Sequence, residues 1–292
     1  MEPFISALSL YPIKGCQGIA LTEAFALDKG LAIKLANGQM LHDRQFMVVD
    51  SQGQCMTQRE VPLLATIGVS IGEDSLSLSA PGHESLHVPI SFASRQAREV
   101  VVWSFAGSGL DVGLSTTTWF TKVLQRPAAL VQFDNNMPRN CEEIGSIASK
   151  TYFADSFGYL ILGKASVGDL EQRMRVHHQD ASFELPANRF RANILLDGID
   201  AYEEDLIRTF DFESVTLEVV SKCVRCNVPS VDQMSGEVQS EQPTPVLDTY
   251  RLDLELAGST IGVNAVWLPS ANQIGKSLVI KMGQQIKFEY AF

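Results

Sequence analysis

Over the first hundred residues apolar and polar positions alternate in short runs broken by turn residues. FISALSLYPI, QFMVVDSQGQCMTQ, LATIGVSIGEDSLSLSAP and SLHVPISF succeed one another, with DSQGQ, GEDS and APGH as turn signals. A period of two puts every second side chain on one face, which predicts antiparallel strands with one buried side. AREVVVWSFAGSGLDVG continues the pattern, and then the period changes. In STTTWFTKVLQRP, Trp119, Phe120, Val123 and Leu124 recur at helical spacing, with Ser115 or Thr116 placed to cap a helix and Pro127 to end it. ALVQFD is a further strand, and residues 135–150 form a polar loop. In SFGYLILGKASVGDLEQRM an apolar strand from Tyr159 to Leu162 turns through Gly163 and Lys164 into a second helix. Its expected N-cap is Ser166, with Asp169 as capping-box partner. RFRANILLDG and SVTLEVVSKCVRC predict strands, and SLVIKMGQQIKFEY predicts strand, turn, strand. With no repeat and no long linker, the pattern predicts a β-rich α+β protein with a junction near residues 95–125.

Composition narrows the function. The chain has 292 residues, 45% of them hydrophobic, enough for a sizeable core in one or two domains. Its 34 acidic and 23 basic side chains leave a net charge of -11, which repels a phosphate backbone, so nucleic acid is not an expected partner. The apolar run in MEPFISALSLYPIKGC is too short for a signal peptide or a membrane span, so the expectation is a cytoplasmic protein with no membrane partner. Five scattered cysteines, an odd count, argue against a disulfide framework and turn attention to reactive or metal-binding thiols.

Cys223 and Cys226 stand two apart in SKCVRCNVPSVDQMSGE. Zinc would need a second half-site, and neither the isolated Cys16, Cys55 and Cys141 nor His177-His178, in the loop-like VHHQDASFE, supplies the spacing. A thioredoxin-type pair would open a helix, which Val228-Pro229 opposes. Two packed cysteines at a strand end are the plainest alternative. Against that, Lys222 and Arg225 favour a thiolate, the form that binds soft metal ions, and the polar turn residues that follow can wrap a ligand.

Other cations stand in similar settings. LSLYPIKGCQG places Lys14 beside Gly15 and Gly18, where backbone amides can also approach an anion. In LPANRFRANILL, read as a strand, alternation puts Arg189, Arg191 and Asn193 on one face, either a solvated edge or a ligand-facing surface. MLHDRQFMVVD brings Asp43-Arg44 to a strand entrance, where an ordinary surface ion pair is the simple reading. Together, Lys14, Arg44, Arg191 and Arg225 could form a cationic site for a phosphorylated ligand.

LSLYPIKGCQG, LHDRQFMVVDSQGQCMTQREVPLLATI, YFADSFGYLILGKASVGDL, NRFRANILLDGIDAYEEDL, CVRCNVPSVDQMSGE, PVLDTYR and the IGVN segment occur in this order over nearly the whole chain. In this combination the chain resembles the MOSC-domain proteins with an N-terminal β-barrel domain, the group of the amidoxime-reducing components and bacterial reductases of N-hydroxylated bases. The resemblance implies an N-terminal β-barrel-like domain over residues 1–125 and a MOSC β-barrel with peripheral helices over 126–292, with a molybdenum cofactor in the cleft between them. It implies Cys226 as the thiolate ligand of molybdenum and assigns no role to Cys223. Lys14, Arg44, Arg191, Asn193, Arg225 and Asn264 would hold the pterin and its phosphate, and Asp155 would sit close to the metal as proton carrier or loop-orienting group. Two departures stand out: Gly15 replaces a common Ser, leaving its backbone amide to serve, and IGV replaces FGQ before Asn264.

The implied activity is reduction of small N-hydroxylated substrates, N–OH to N–H. The alternative is a cofactor or sulfur carrier without reductase activity. The chain ends at Phe292 without a ferredoxin-like extension, and no cysteine quartet for an iron–sulfur cluster is present, so electrons are expected from a separate ferredoxin- or flavoprotein-type donor. Pyridoxal phosphate is not expected.

Overall fold

A computed structural model describes residues 2–91, 95–141, 149–239, 242–269 and 278–291. The predicted β-rich α+β class is what it shows: five sheets and three α-helices among the described residues. Phe4–Leu10 and Gly68–Ile71, Ser75–Ser79 and Leu86–Pro89 form where the alternating runs predict strands.

The largest sheet has nine strands. Along it lie Lys287–Tyr290, Ile207–Asp211, Thr216–Val224, Gly258–Leu268, Tyr159–Gly163, Ile194–Asp197, Phe4–Leu10 and Ile19–Leu21, with Leu252–Asp253 paired to Gly258–Leu268. The N-terminal strand therefore sits inside a sheet built mostly from the second half of the chain, antiparallel to Ile194–Asp197. In exchange, Val279–Lys281 adds to the early strand Glu23–Leu27. After Leu10 the chain leaves the large sheet through Pro12, and Ile13–Lys14 joins Phe46–Val49 in parallel in a second, five-stranded sheet. That crossover brings Lys14 to the boundary between the two sheets. Burial holds the boundary in place: Ile5, Leu10, Phe46, Leu64, Ile161, Ile194 and Val263, from both halves, pack in one cluster and are fully buried. Each such side chain contributes about 1.5–3 kcal/mol by leaving water.

The helices form as predicted but start earlier. Helix α1 covers Leu114–Leu124 with Gly113, not Ser115 or Thr116, at its N-cap. Gly113 lies at φ 119°, a conformation a residue with a side chain avoids, and the Thr116 hydroxyl donates back to its carbonyl at 2.7 Å instead of accepting. The apolar face is the predicted one, with Phe120, Val123 and Leu124 buried. The helix stops at Leu124, with Gln125 left-handed two residues before Pro127.

Helix α2 covers Lys164–His178 with Gly163 at the cap. Ser166 lies inside its first turn, where its hydroxyl donates to the buried Glu204 at 2.8 Å. Asp169 accepts from Arg173 and Tyr202 instead of capping. His177 and His178 belong to the last turn of α2, not to a loop. A short helix, α3 (Pro243–Asp248), packs on α2.

The RFRAN segment departs furthest from expectation. Ala187–Phe190 is a 3-10 turn, Arg191 is left-handed at φ 55°, and the strand begins only at Ile194. Arg189, Arg191 and Asn193 thus do not share a strand face. Arg189 turns to Gln239 and Asp232, while Arg191 turns inward.

Candidate functional site

The strand Thr216–Val224 runs to the end of its pairing with Gly258–Leu268, and the Arg225 amide makes a last bond to the Ser259 carbonyl at 2.9 Å. Cys223 stays on the strand and half-buried. Cys226 lies beyond it and is exposed. Directly after comes a 3-10 turn, Val228–Ser230, with Pro229 in its opening positions, so no α-helix follows the cysteine pair.

The pair opens into a cavity of about 320 Å³ at the boundary of the sheets. Lys14, Gly15, Arg44, Asp155, Arg191, Asn193, Arg225, Cys226 and Asn264, all singled out in the sequence, line this one space. Among the described residues, Arg59 and Lys222 bring its cationic lining residues to six, against Asp155 as the single lining carboxylate. In a chain of net charge -11 this is a local reversal of sign, suited to an anionic ligand.

Two arginines form the floor. Arg44 and Arg191 each place the guanidinium carbon 4.4 Å from the centroid of the buried Tyr11 ring. Both have left-handed backbones, at φ 49° and 55°. Arg44 pairs with buried Asp43 and donates to the Arg191 carbonyl at 3.0 Å. The other oxygen of Asp43 accepts the Tyr11 amide at 2.8 Å, so the Asp43–Arg44 pair braces the floor and is not a surface contact. Arg191 donates to the Cys16 carbonyl at 2.7 Å and to Gln233 Oε1 at 3.1 Å. Burial lowers its pKa from the ordinary arginine value, and Tyr11 beside it pulls the other way. Gln233 and Gln58 exchange amide hydrogen bonds at 2.9 and 3.1 Å, and Gln58 also donates to the Gly15 carbonyl at 2.7 Å. The turn after the cysteine pair is thereby tied to the Lys14–Gly15 crossover.

The other walls carry different duties. Asn193 is buried and its amide is spent on the chain: it accepts from the Leu160 amide and donates to the Ser9 carbonyl. Asn264 donates to Ser221 at 3.1 Å. Arg225 donates to Cys223 Sγ at 3.0 Å and to the Phe190 carbonyl at 2.8 Å, so the sulfur it holds is Cys223, not Cys226. Its Nε is buried and without a partner among the described residues.

Asp155 lies at the mouth, its side chain 70% exposed, and accepts from Lys14 Nζ at 2.5 Å and Trp103 Nε1 at 2.9 Å. Its partial desolvation, which opposes ionisation, is outweighed by the Lys14 ammonium and by those two hydrogen bonds. They hold the carboxyl below the usual carboxylate range. Burial pushes the Cys16 thiol up to about 12 and Cys55 up to about 11, and raises Cys141 as well. Those three behave as packing residues, which leaves Cys223 and Cys226 as the cavity's thiols.

Tyr11, Gln58, Arg59 and Trp103 were not singled out in the sequence, and Gln233 entered only as one of the polar turn residues after the cysteine pair. Trp103 carried one local signal, an aromatic at the tip between two strand runs, where Gly, Asn or Asp is usual. The pairing of the two glutamines carried none, since they are 175 residues apart. Among the described residues no group of three or more His, Cys, Asp or Glu gathers to form a metal cluster. No helix among them is long and apolar enough to cross a membrane.

The MOSC N-terminal beta barrel domain matches residues 2–127, and the MOSC domain matches residues 148–287. Mitochondrial amidoxime reducing component 2 of Bos taurus is 32% identical over 254 residues, covering 85% of this chain and 72% of that protein. Mitochondrial amidoxime-reducing component 1 of Homo sapiens is 31% identical with the same coverage. The molybdenum cofactor sulfurase of Homo sapiens is 26% identical over 80% of this chain, which corresponds to 27% of that protein.

Proposed function

The chain belongs to the MOSC-domain family that carries a MOSC N-terminal β-barrel domain, and we propose that it is a molybdenum-cofactor-dependent reductase of N-hydroxylated compounds. In this reading the barrel domain spans residues 1–125 and the MOSC domain 126–292, with the cofactor in the cavity between them. The observation that carries the proposal is the convergence of an exposed thiol, Cys226, with six cations in one cavity of an acidic protein.

The residues present fit such a group. A thiolate is a donor that soft metal ions favour, and Lys14, Arg44 and Arg191 suit a phosphate. The Arg225 Nε, buried and without a partner among the described residues, is a further donor. Gly15, left-handed at φ 86°, can approach a ligand through its backbone amide. Asn193 acts through the backbone it fixes, because its amide is already committed. When bound, the cofactor supplies two-electron chemistry: R–NH–OH with two electrons and two protons gives R–NH₂ and water.

The protein's own part is binding, orientation and charge. Asp155, ionised and bridged to Lys14, serves as an acceptor that fixes the ammonium and a substrate donor, and not as a standing proton source at neutral pH. Arg225 orders the cysteine loop by holding Cys223 and the Phe190 carbonyl. Electrons come from a separate donor protein of ferredoxin or flavoprotein type.

A second reading, a cofactor or sulfur carrier, is favoured by one feature: Cys223 shares the cavity with Cys226. Adding a chemical reductant and 6-hydroxylaminopurine to molybdenum-loaded protein separates the two. Conversion to adenine supports the reductase, and bound molybdenum without turnover supports the carrier.

A further inference from the structure

Trp103 is the first of two residues at the tip of the hairpin formed by Ala97–Val102 and Phe105–Asp111, where Val102 faces Phe105. Its backbone is left-handed at φ 54°, which is costly for a bulky side chain. Its side chain is a large apolar group left 48% exposed on the lip of the cavity. Both features oppose stability, and such outliers persist where the surroundings fix them, often at ligand clamps.

The surroundings here do fix it. The indole Nε1 donates to Asp155 at 2.9 Å, Arg59 stacks with its guanidinium carbon 4.6 Å from the ring centroid, and Lys14 Nζ lies 5.9 Å from it. Lys14 and Asp155 are the same two groups that meet at the mouth beside the cysteine loop. The ring is therefore locked in orientation, backed by a cation, and still open to the cavity. An indole surface in that state binds flat π-systems by stacking and offers little to a small aliphatic molecule.

Resting on the reductase reading for the chemistry, we propose that Trp103 is the specificity-determining platform of this site, selecting planar aromatic or heteroaromatic N-hydroxylated substrates over aliphatic ones. The hairpin tip lays the substrate ring along the indole, and the N-hydroxyl group points inward past Lys14 and Asp155. Arg59, stacked on Trp103, is a positioning residue that keeps the platform in place.

The test uses cofactor-loaded protein, with 6-hydroxylaminopurine as the planar probe and acetamidoxime as the aliphatic one. The first measurement is quenching of tryptophan fluorescence by 6-hydroxylaminopurine without reductant, so that no turnover is needed. Wild type is expected to be quenched, and Trp103→Phe to lose most of the quenching while Trp119 and Trp267 remain. The second is the ratio of kcat/KM for the planar to the aliphatic probe. Stacking of this kind predicts that Trp103→Gly, whose backbone suits φ 54°, lowers the ratio by about 10-fold, and that Trp103→Phe restores most of it.

If Trp103 served only to hold Asp155, Trp103→Phe and Trp103→Gly would lose the same hydrogen bond and leave the ratio where wild type has it. That result, or quenching that survives in Trp103→Phe, overturns the proposal. Trp103-dependent quenching with no turnover would support the platform while removing the reductase reading. Turnover with an unchanged ratio would do the reverse.

Discussion

The two sides of the cavity are built on opposite principles. On one side the buried Arg191 and the partly buried Arg44 pack against Tyr11, each with hydrogen-bond partners from the protein itself. On the other, Cys226 is exposed past the end of a strand, and Trp103 projects half-exposed from a hairpin tip. Charges that hold a ligand are useful only if they are already placed, and a buried cation without partners would cost several kcal/mol. Groups that touch a reacting molecule must stay accessible. The difference separates residues whose loss harms the fold from residues whose loss harms only what the fold does.

The sharpest way to break this contrast is by thiol chemistry. In cofactor-free native protein at pH 7, alkylation followed by peptide mass mapping should modify Cys226 first. Cys16, its thiol pushed up to about 12 by burial, should react only after unfolding. Equal labelling of the two would mean that the buried side is open.

Next in size is stability. Arg191→Met removes the bonds to Gln233 and the Cys16 carbonyl and is expected to cost about 3 kcal/mol in urea unfolding, because buried partners are left unpaired. Cys226→Ser, on the exposed side, should change stability by less than about 0.5 kcal/mol. Similar costs for both would erase the distinction. Gln58→Ala opens the reciprocal amide pair with Gln233 and should cost about 1–2 kcal/mol.

The smallest effect concerns pH. Asp155 has a folded pKa below its unfolded value of about 3.9, so its stabilising contribution is present above that pH and fades as pH falls below it. Asp155→Asn should therefore be less stable than wild type at pH 6, by under about 1 kcal/mol for so exposed a carboxylate, and the gap should narrow as acidification carries the pH from the unfolded value down through the depressed folded one. A gap that widens on acidification would show that Lys14 does not hold the carboxyl ionised.

Much of this was legible in the sequence because it is local or periodic. Alternation located strands such as Phe4–Leu10, and helical spacing gave the buried face of α1. The matching motifs brought nine chosen residues to one cavity. Helix starts were not legible, because Gly113 and Gly163 take the cap positions and the nearby hydroxyls find other partners. The RFRAN segment alternates like a strand, yet one left-handed residue, Arg191, turns its guanidinium into the interior. The Gln58–Gln233 pair and the Trp103–Asp155–Lys14 chain join residues far apart in sequence, and no local pattern encodes such contacts.

Metal analysis of wild type beside Cys226→Ser, both purified from molybdenum-replete cells, tests the central claim most directly. The account predicts close to one molybdenum per chain in wild type and little or none in the variant, with both proteins equally folded. Equal molybdenum in the two, or none in either, would contradict it.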